Sequence, residues 1–216
     1  MTEKILRILF PPKCVLCKTI LSDGQTDLCH SCRQDAPELT KSNFKISFVA
    51  GWTGLWYYKD NVRQSLIRYK FWGKRHYAET YGRLLAMKLH NSAPNSFDLL
   101  TWVPISFLRR LGRGYDQVEL LAHAVGRELG TQPVRLLKKI RNTPPQSGIG
   151  NAARRRANVL NAYKAVNVQH LQGKRVLLLD DILTTGATAS ECAKVLRTAG
   201  AAEVTLAVLA VAKHDC

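Results

Sequence analysis

Long apolar runs are missing from this 216-residue chain. The longest, residues 206–212, falls far short of the roughly 20 residues a helix needs to cross a bilayer. The apolar stretch 5–10 runs into Pro11-Pro12 rather than a small-residue cleavage site, which argues against a secretory leader, and the chain is read as cytosolic with no membrane span. Internal repeats and low-complexity tracts are absent as well. Fourteen Gly and eight Pro are too few for a fibrous or disordered chain. Acidic residues are scarce, 16 against 32 Lys and Arg, for a formal net charge of +16. What is present is a 46% hydrophobic composition, enough for one domain of roughly 150 residues or more plus a small addition.

The positive excess is unevenly placed. Residues 51–160 carry 19 basic and 6 acidic side chains, a footprint suited to phosphates or a nucleic acid. A solvated basic surface that serves solubility is the alternative.

Four of the six cysteines form two CxxC knuckles, Cys14/Cys17 and Cys29/Cys32, separated by eleven residues. Each pair can turn two thiolates toward one point, and Asp23-Gly24 supplies a turn that brings the second pair back to complete a tetrahedron around Zn²⁺. Such a closed site has no open position for substrate, so the ion is expected to be a structural staple for a segment too small to fold alone. His30 is read as exposed, and Cys192 and Cys216 as uninvolved.

A polar stretch over 35–45 separates a zinc-binding module, residues 1–40, from a second domain, 41–216. Residues 46–58 are rich in aromatic and β-branched side chains around Gly51 and Gly54, which predicts a hairpin. Helices are predicted from about Asn61 and over 77–89. Strand 99–103, a loop over 105–115 and a helix with the stripe Val118, Leu121, Ala122, Val125 and Leu129 make one β-loop-α unit. Strand 176–179, a loop and a helix stopped by Gly200 make another, and 204–211 is a further buried strand. Apolar strands alternating with amphipathic helices predict an α/β fold with a mainly parallel sheet covered by helices on both faces.

The segment carrying most chemistry is Leu179-Asp180-Asp181-Ile182-Leu183-Thr184-Thr185-Gly186-Ala187-Thr188. A buried strand delivers two carboxylates at its carboxyl end, where open α/β sheets bind ligands. The Thr-rich turn offers backbone N–H groups and hydroxyls to one anion, at the positive end of the next helix. Two carboxylates beside a phosphate would repel it unless a sugar intervenes. Asp180 and Asp181 therefore suit the hydroxyls of a ribose whose 5′-phosphate lies on Thr184, Thr185, Gly186, Ala187 and Thr188. An ordinary capped helix is the plainer alternative. The turn lacks the Gly-Lys-Ser/Thr ending of a triphosphate P-loop.

This segment resembles the phosphoribosyl diphosphate (PRPP) signature of type I phosphoribosyltransferases, and the chain from the first knuckle to the last strand resembles the ComF family of competence-related proteins. Arg113-Gly114-Tyr115-Asp116-Gln117 is similar to that family's Arg-Gly-Phe-Asn-Gln element, with Tyr115 and Asp116 in place of Phe and Asn. Arg141-Asn142-Thr143-Pro144-Pro145-Gln146, followed by Arg155 and Asn158, is similar to another. The resemblance implies a type I phosphoribosyltransferase-like fold after a zinc-ribbon-like module, with Asp180 and Asp181 on ribose, the threonine turn on the 5′-phosphate, and Arg109, Arg110 and Arg113 on the diphosphate. Mg²⁺ would arrive with PRPP, held by substrate oxygens and water. The implied chemistry is displacement of diphosphate from ribose C1 by an unidentified nitrogen nucleophile. A single-stranded DNA-binding factor in DNA uptake and transformation, working with competence-machinery proteins, is the second reading. Residues 135–156 would be a mobile lid or a DNA track, with Arg141, Gln146, Arg155 and Lys70 as its contacts. Aromatic and basic residues over 57–75, among them Tyr69, Phe71 and Trp72, suit base stacking beside phosphate contacts, or else a core helix with snorkelling cations.

Overall fold

The protein is described by a computed structural model over residues 10–39, 45–92, 97–143 and 152–212, with 92, 152, 153, 155 and 156 described by backbone only. Its centre is a four-stranded parallel sheet of β1 (Gly51–Tyr57), β2 (Leu99–Trp102), β5 (Arg175–Leu183) and β6 (Glu203–Val211), in the order β1-β6-β5-β2. A separate antiparallel pair joins β3 (Leu137–Lys139) to β4 (Tyr163–Ala165). The helices are α1 (His30–Asp35), α2 (Asp60–Phe71), α3 (Tyr77–Ser92), α4 (Phe107–Arg113), α5 (Gln117–Glu128), α6 (Ala152–Val159) and α7 (Ala187–Thr198).

Successive side chains of a strand point to opposite faces, and β5 and β6 are apolar on both. Leu177, Leu179, Ala207 and Leu209 pack with α2, α3, α5 and the cysteine module; Val176, Leu178, Val204, Leu206 and Val208 pack with α7 and the β3–β4 pair. The sheet is thus parallel and covered on both sides, the α/β architecture that the alternating pattern predicts and that the resemblance to type I phosphoribosyltransferases implies. Gly82 is what lets α3 lie close against α5, since a Cβ there would fall 2.4 Å from that of Ala124.

Three expectations change. Residues 46–58 form no hairpin: a turn closed by Val49 N–H to the Ile46 carbonyl, with Phe48 at φ 65°, leads into the single strand β1, parallel to β6. Strand propensity reports a pleated, half-buried surface and not which strand will pair. Residues 105–115 are not all loop, because 107–113 form α4, a short helix whose apolar Phe107, Leu108 and Leu111 are exposed and bury nothing. Residues 135–156 are not uniformly a loose basic lid. Leu136 and Leu137 are buried, β3 pairs with β4, and α6 covers 152–159.

The cysteine module does not hang free. The turn after Cys14 is closed by Lys18 N–H to the Cys14 carbonyl, Gly24 takes φ 81° in the turn between the knuckles, and Cys29 caps α1. Val15, Leu16, Leu21 and Leu28 enter the same apolar cluster as Leu66, Tyr69 and Tyr81. From α2, Ser65 donates to the Val15 carbonyl, and buried Arg68 donates to the Leu16 carbonyl at 2.6 Å and to that of Val15 at 3.2 Å. From α3, Arg83 grips Asp27 through two nitrogens. Among the described residues no helix is long and apolar enough to cross a membrane.

Because module and sheet share one apolar cluster, removing the metal should destabilise the whole chain. Chelation is expected to lower the melting temperature by about 10 °C or more. Arg68→Ala, which strips two charge-assisted hydrogen bonds from buried carbonyls, should lower it by about 5 °C. Thermal unfolding followed by circular dichroism measures both, and an unchanged transition after chelation would show the module to be a passive appendage.

Candidate functional site

The four thiols meet as the spacing required. The sulfurs of Cys14, Cys17, Cys29 and Cys32 lie within 4.8 Å of one another, with Cys17 and Cys29 3.5 Å apart. Zn–S bonds of about 2.3 Å in a tetrahedron put sulfurs about 3.8 Å apart, so the cluster fits a closed, structural zinc ion. Among the described residues it is the one metal-ligating cluster of three or more such side chains.

The other site lies beyond the carboxyl ends of β5 and β2, where a cavity of about 310 Å³ opens. Its wall brings together Asp180, Asp181, Thr184, Gly186, Thr188, Arg109 and Arg113, with Lys70, Gln117, Lys139 and Tyr163. Gly186, at φ 73°, turns the chain from β5 into α7 and caps that helix, so the amides of the first turn face the cavity. Thr185 uses its hydroxyl to accept from Ala187 N–H at 3.5 Å, while Ala187 is buried. Of the five turn residues, then, Thr184, Gly186 and Thr188 line the space and the other two shape the turn.

The two carboxylates occupy different surroundings because adjacent strand residues point to opposite faces. Asp181, buried, faces α2 and α5: Lys70 Nζ lies 2.8 Å from one carboxylate oxygen and Gln117 Nε2 donates to the other at 2.8 Å. Gln117 is itself held by Arg113, which donates to its carbonyl oxygen at 3.0 Å. Asp180 faces α7 and the β3–β4 pair, and its carboxylate accepts from Asp181 N–H at 2.8 Å. Burial, reinforced by the Asp181 charge, pushes its pKa up to about 8. The shift favours its protonated form.

The arginines divide. Arg109 donates to the Thr143 carbonyl at 2.7 Å and faces the cavity, where burial and then the Arg113 charge bring its pKa down. Arg113 stacks on Phe71, 4.6 Å from the ring centroid. Arg110 turns outward and pairs with Glu119 at 3.0 Å, so it does not line the cavity. Lys70, read from sequence as a lid or DNA contact, sits inside the cavity wall on Asp181. Arg141 donates to the carbonyls of Asn158 and Leu160 and ties β3 to the end of α6. Gln146 lies outside the described residues, and Arg155 falls on α6 where only backbone is described.

Asp116 is neither in the cavity wall nor a charge aimed at it. It is the buried N-cap of α5, accepting from Val118 N–H at 2.9 Å, Glu119 N–H at 3.2 Å and Ile105 N–H at 3.0 Å. Those three donors explain why Asp can stand there in place of Asn.

Sequence reasoning gave no cavity role to Gln117, Lys139 and Tyr163. Lys139 Nζ lies 5.1 Å from the Tyr163 ring centroid, and burial with the Arg109 charge brings it down to about 8. The clue was available: Lys139 stands two residues after buried Leu137, so on a strand both face the same way.

Comparison with known proteins follows this geometry. The model of the double zinc ribbon domain matches residues 5–43, and that of the phosphoribosyl transferase domain matches 119–216. Competence protein F of Haemophilus influenzae is 26% identical over 215 residues, covering 89% of this chain and 93% of that protein. Competence protein ComFC of Streptococcus pneumoniae is 31% identical over 180 residues, 83% of this chain and 74% of that one. Among solved structures, glutamine phosphoribosylpyrophosphate amidotransferase from B. subtilis aligns at 22% identity and a TM-score of 0.45, over 66% of this chain and 30% of that one. On these matches the chain belongs to the ComF family of competence proteins, with a double zinc ribbon preceding a phosphoribosyltransferase-type domain.

Proposed function

We propose that the cavity binds PRPP and that the protein is a phosphoribosyltransferase-like factor in DNA uptake and transformation. One observation carries this reading: hydroxyl acceptors, a phosphate-type turn at a helix N-terminus and two arginines converge on a single cavity of about 310 Å³. Ribose hydroxyls reach Asp180 and Asp181, the 5′-phosphate lies on Thr184, Gly186 and Thr188, and the diphosphate meets Arg109 and Arg113. Displacement at C1 breaks the bond to diphosphate while a nitrogen lone pair forms the new one. Charge then grows on the leaving oxygen, where fixed guanidinium groups stabilise the transition state more than the ground state. Asp181 already has both oxygens engaged, so the protein offers no carboxylate cage. Mg²⁺ would be held mainly by diphosphate oxygens and water, adding further neutralising charge there.

Single-stranded DNA binding is the second reading, and exposed rings favour it. Phe71, which lines the cavity, and the next residue Trp72 are each 62% exposed, close in sequence to exposed Lys74 and Arg75. Rings that stack on bases next to cations suit an unpaired strand, with competence-machinery proteins as further partners.

Asp180→Asn together with Asp181→Asn is expected to weaken PRPP binding by about 100-fold, the loss of the ribose hydroxyls' hydrogen bonds to the two carboxyl groups, with zinc content unchanged. Calorimetry and metal analysis read the two, and retained binding would overturn the sugar site. Turnover is tested by incubating protein, Mg²⁺ and PRPP with a panel of nitrogenous acceptors and measuring released diphosphate; none released would leave a binding protein.

The protonation of Asp180 yields a stability test. The folded protein keeps this proton up to about pH 8, whereas an unfolded chain releases it near pH 4. Across that window the native state binds the extra proton, so stability falls as pH rises. Asp180→Asn should remove that penalty, and its advantage in melting temperature should widen by about 5 °C or more between pH 5 and 8. A constant gap would mean that Asp180 titrates normally.

For DNA, affinity for a single-stranded oligonucleotide should drop by about tenfold or more between roughly 50 and 200 mM salt. Salt-insensitive or absent binding removes the second reading.

A further inference from the structure

Two carboxylates side by side in an anion-binding cavity pose a charge problem that a phosphoribosyl ligand makes worse. Divalent metal usually answers it. Here the chain supplies an answer of its own, because Lys70 reaches in from α2 to within 2.8 Å of Asp181. Gln117 takes the second oxygen, and Arg113 holds Gln117 in turn. Asp180 points to the other face of the strand, where burial and the Asp181 charge raise its pKa. Lys70 thus offsets the Asp181 charge before any ligand or ion arrives.

The lysine is held in place from both sides. Its neighbour Tyr69 donates to the Gln117 carbonyl and its own backbone carbonyl accepts from Tyr115. Earlier on α2, Ser65 and Arg68 grip the first cysteine knuckle. These contacts fix the helix that carries Lys70, and the side chain itself is mostly buried, at 18% exposure, where it meets Asp181. Stability alone does not call for the pair, because a buried ion pair is often no better than apolar side chains of similar size.

We infer that Lys70 is the built-in counter-cation of the ribose site, so that the ribose 5-phosphate half of the ligand binds without a divalent ion and any magnesium requirement is confined to the diphosphate. This rests on the sugar-phosphate reading above and deepens it. Lys70 acts through Asp181, as a positioning and charge-compensating residue.

Ribose 5-phosphate, which lacks the diphosphate, is the probe, titrated calorimetrically in EDTA and again in Mg²⁺. The native protein should bind it with affinities within about twofold of each other in the two buffers. Lys70→Met should lose tenfold or more in EDTA, about the worth of one charged hydrogen bond, and recover part of it in Mg²⁺. Lys70→Arg should behave as the native protein. Lys70→Met combined with Asp181→Asn should bind better in EDTA than Lys70→Met alone, because the charge needing compensation is gone. A merely structural lysine would not create a magnesium dependence. Native binding of ribose 5-phosphate only with Mg²⁺, or equal binding by Lys70→Met in EDTA, overturns the inference and leaves the PRPP reading intact. So does native binding of PRPP without any of ribose 5-phosphate. A native protein that binds neither ligand in either buffer sinks the reading and this inference with it.

Discussion

Like charges cannot be stacked in a closed space, and that constraint organises the site. The sequence sets Asp180 beside Asp181 at the end of β5, a few residues before a turn suited to phosphate. Strand geometry then sends the two side chains to opposite faces, into unlike surroundings. On one face burial raises the pKa of Asp180; on the other Lys70 and Gln117 occupy Asp181. The same pleat that gives the sheet its two apolar faces gives the acidic pair its two electrostatic states.

The second consequence concerns α2. One helix carries Ser65 and Arg68 to the carbonyls of the first knuckle and Lys70 to the carboxylate of the sugar site. The module and the cavity are thereby connected through less than two helical turns. A four-thiolate ion has no chemistry to contribute to a reaction, but an ordered knuckle fixes the helix whose end faces the ligand. Staple and site are two ends of one rigid element, which gives the small module a reason to be packed into the main core.

Where a signal was local, it could be read before any coordinates. The CxxC pairs, the apolar strands at 176–179 and 204–211, and the turn at 184–188 each announce themselves through spacing or composition, and the sheet follows from their alternation. What could not be read depended on partners distant in the chain. Residues 46–58 have strand character in either a hairpin or a parallel edge, and only the exposed flank of β6 decides between them. Lys70 looked like one more cation in a basic stretch, since nothing near it in sequence says that Asp181, 111 positions on, will be its partner. Arg109, Arg110 and Arg113 are indistinguishable as letters, yet Glu119 draws Arg110 outward. The capping role of Asp116 could not be read because its three amide donors come from two separate segments.

The basic excess is not consumed by the cavity. Lys70, Arg109, Arg113 and Lys139 line it, whereas Arg63, Lys74, Arg75, Arg110, Arg135, Lys138 and Arg141 are exposed. A small ligand of a few charges needs only the first group. Inside the wall, Lys70 already offsets the Asp181 charge, so the outer cations are not there to balance it. Long-range attraction falls off over about 10 Å at ordinary ionic strength, which makes an outer field useful chiefly to something that runs across the surface. On the proposed readings the interior takes one sugar phosphate and the surplus charge outside it a polyanion, so the two address two parts of the same molecule rather than rival uses of one.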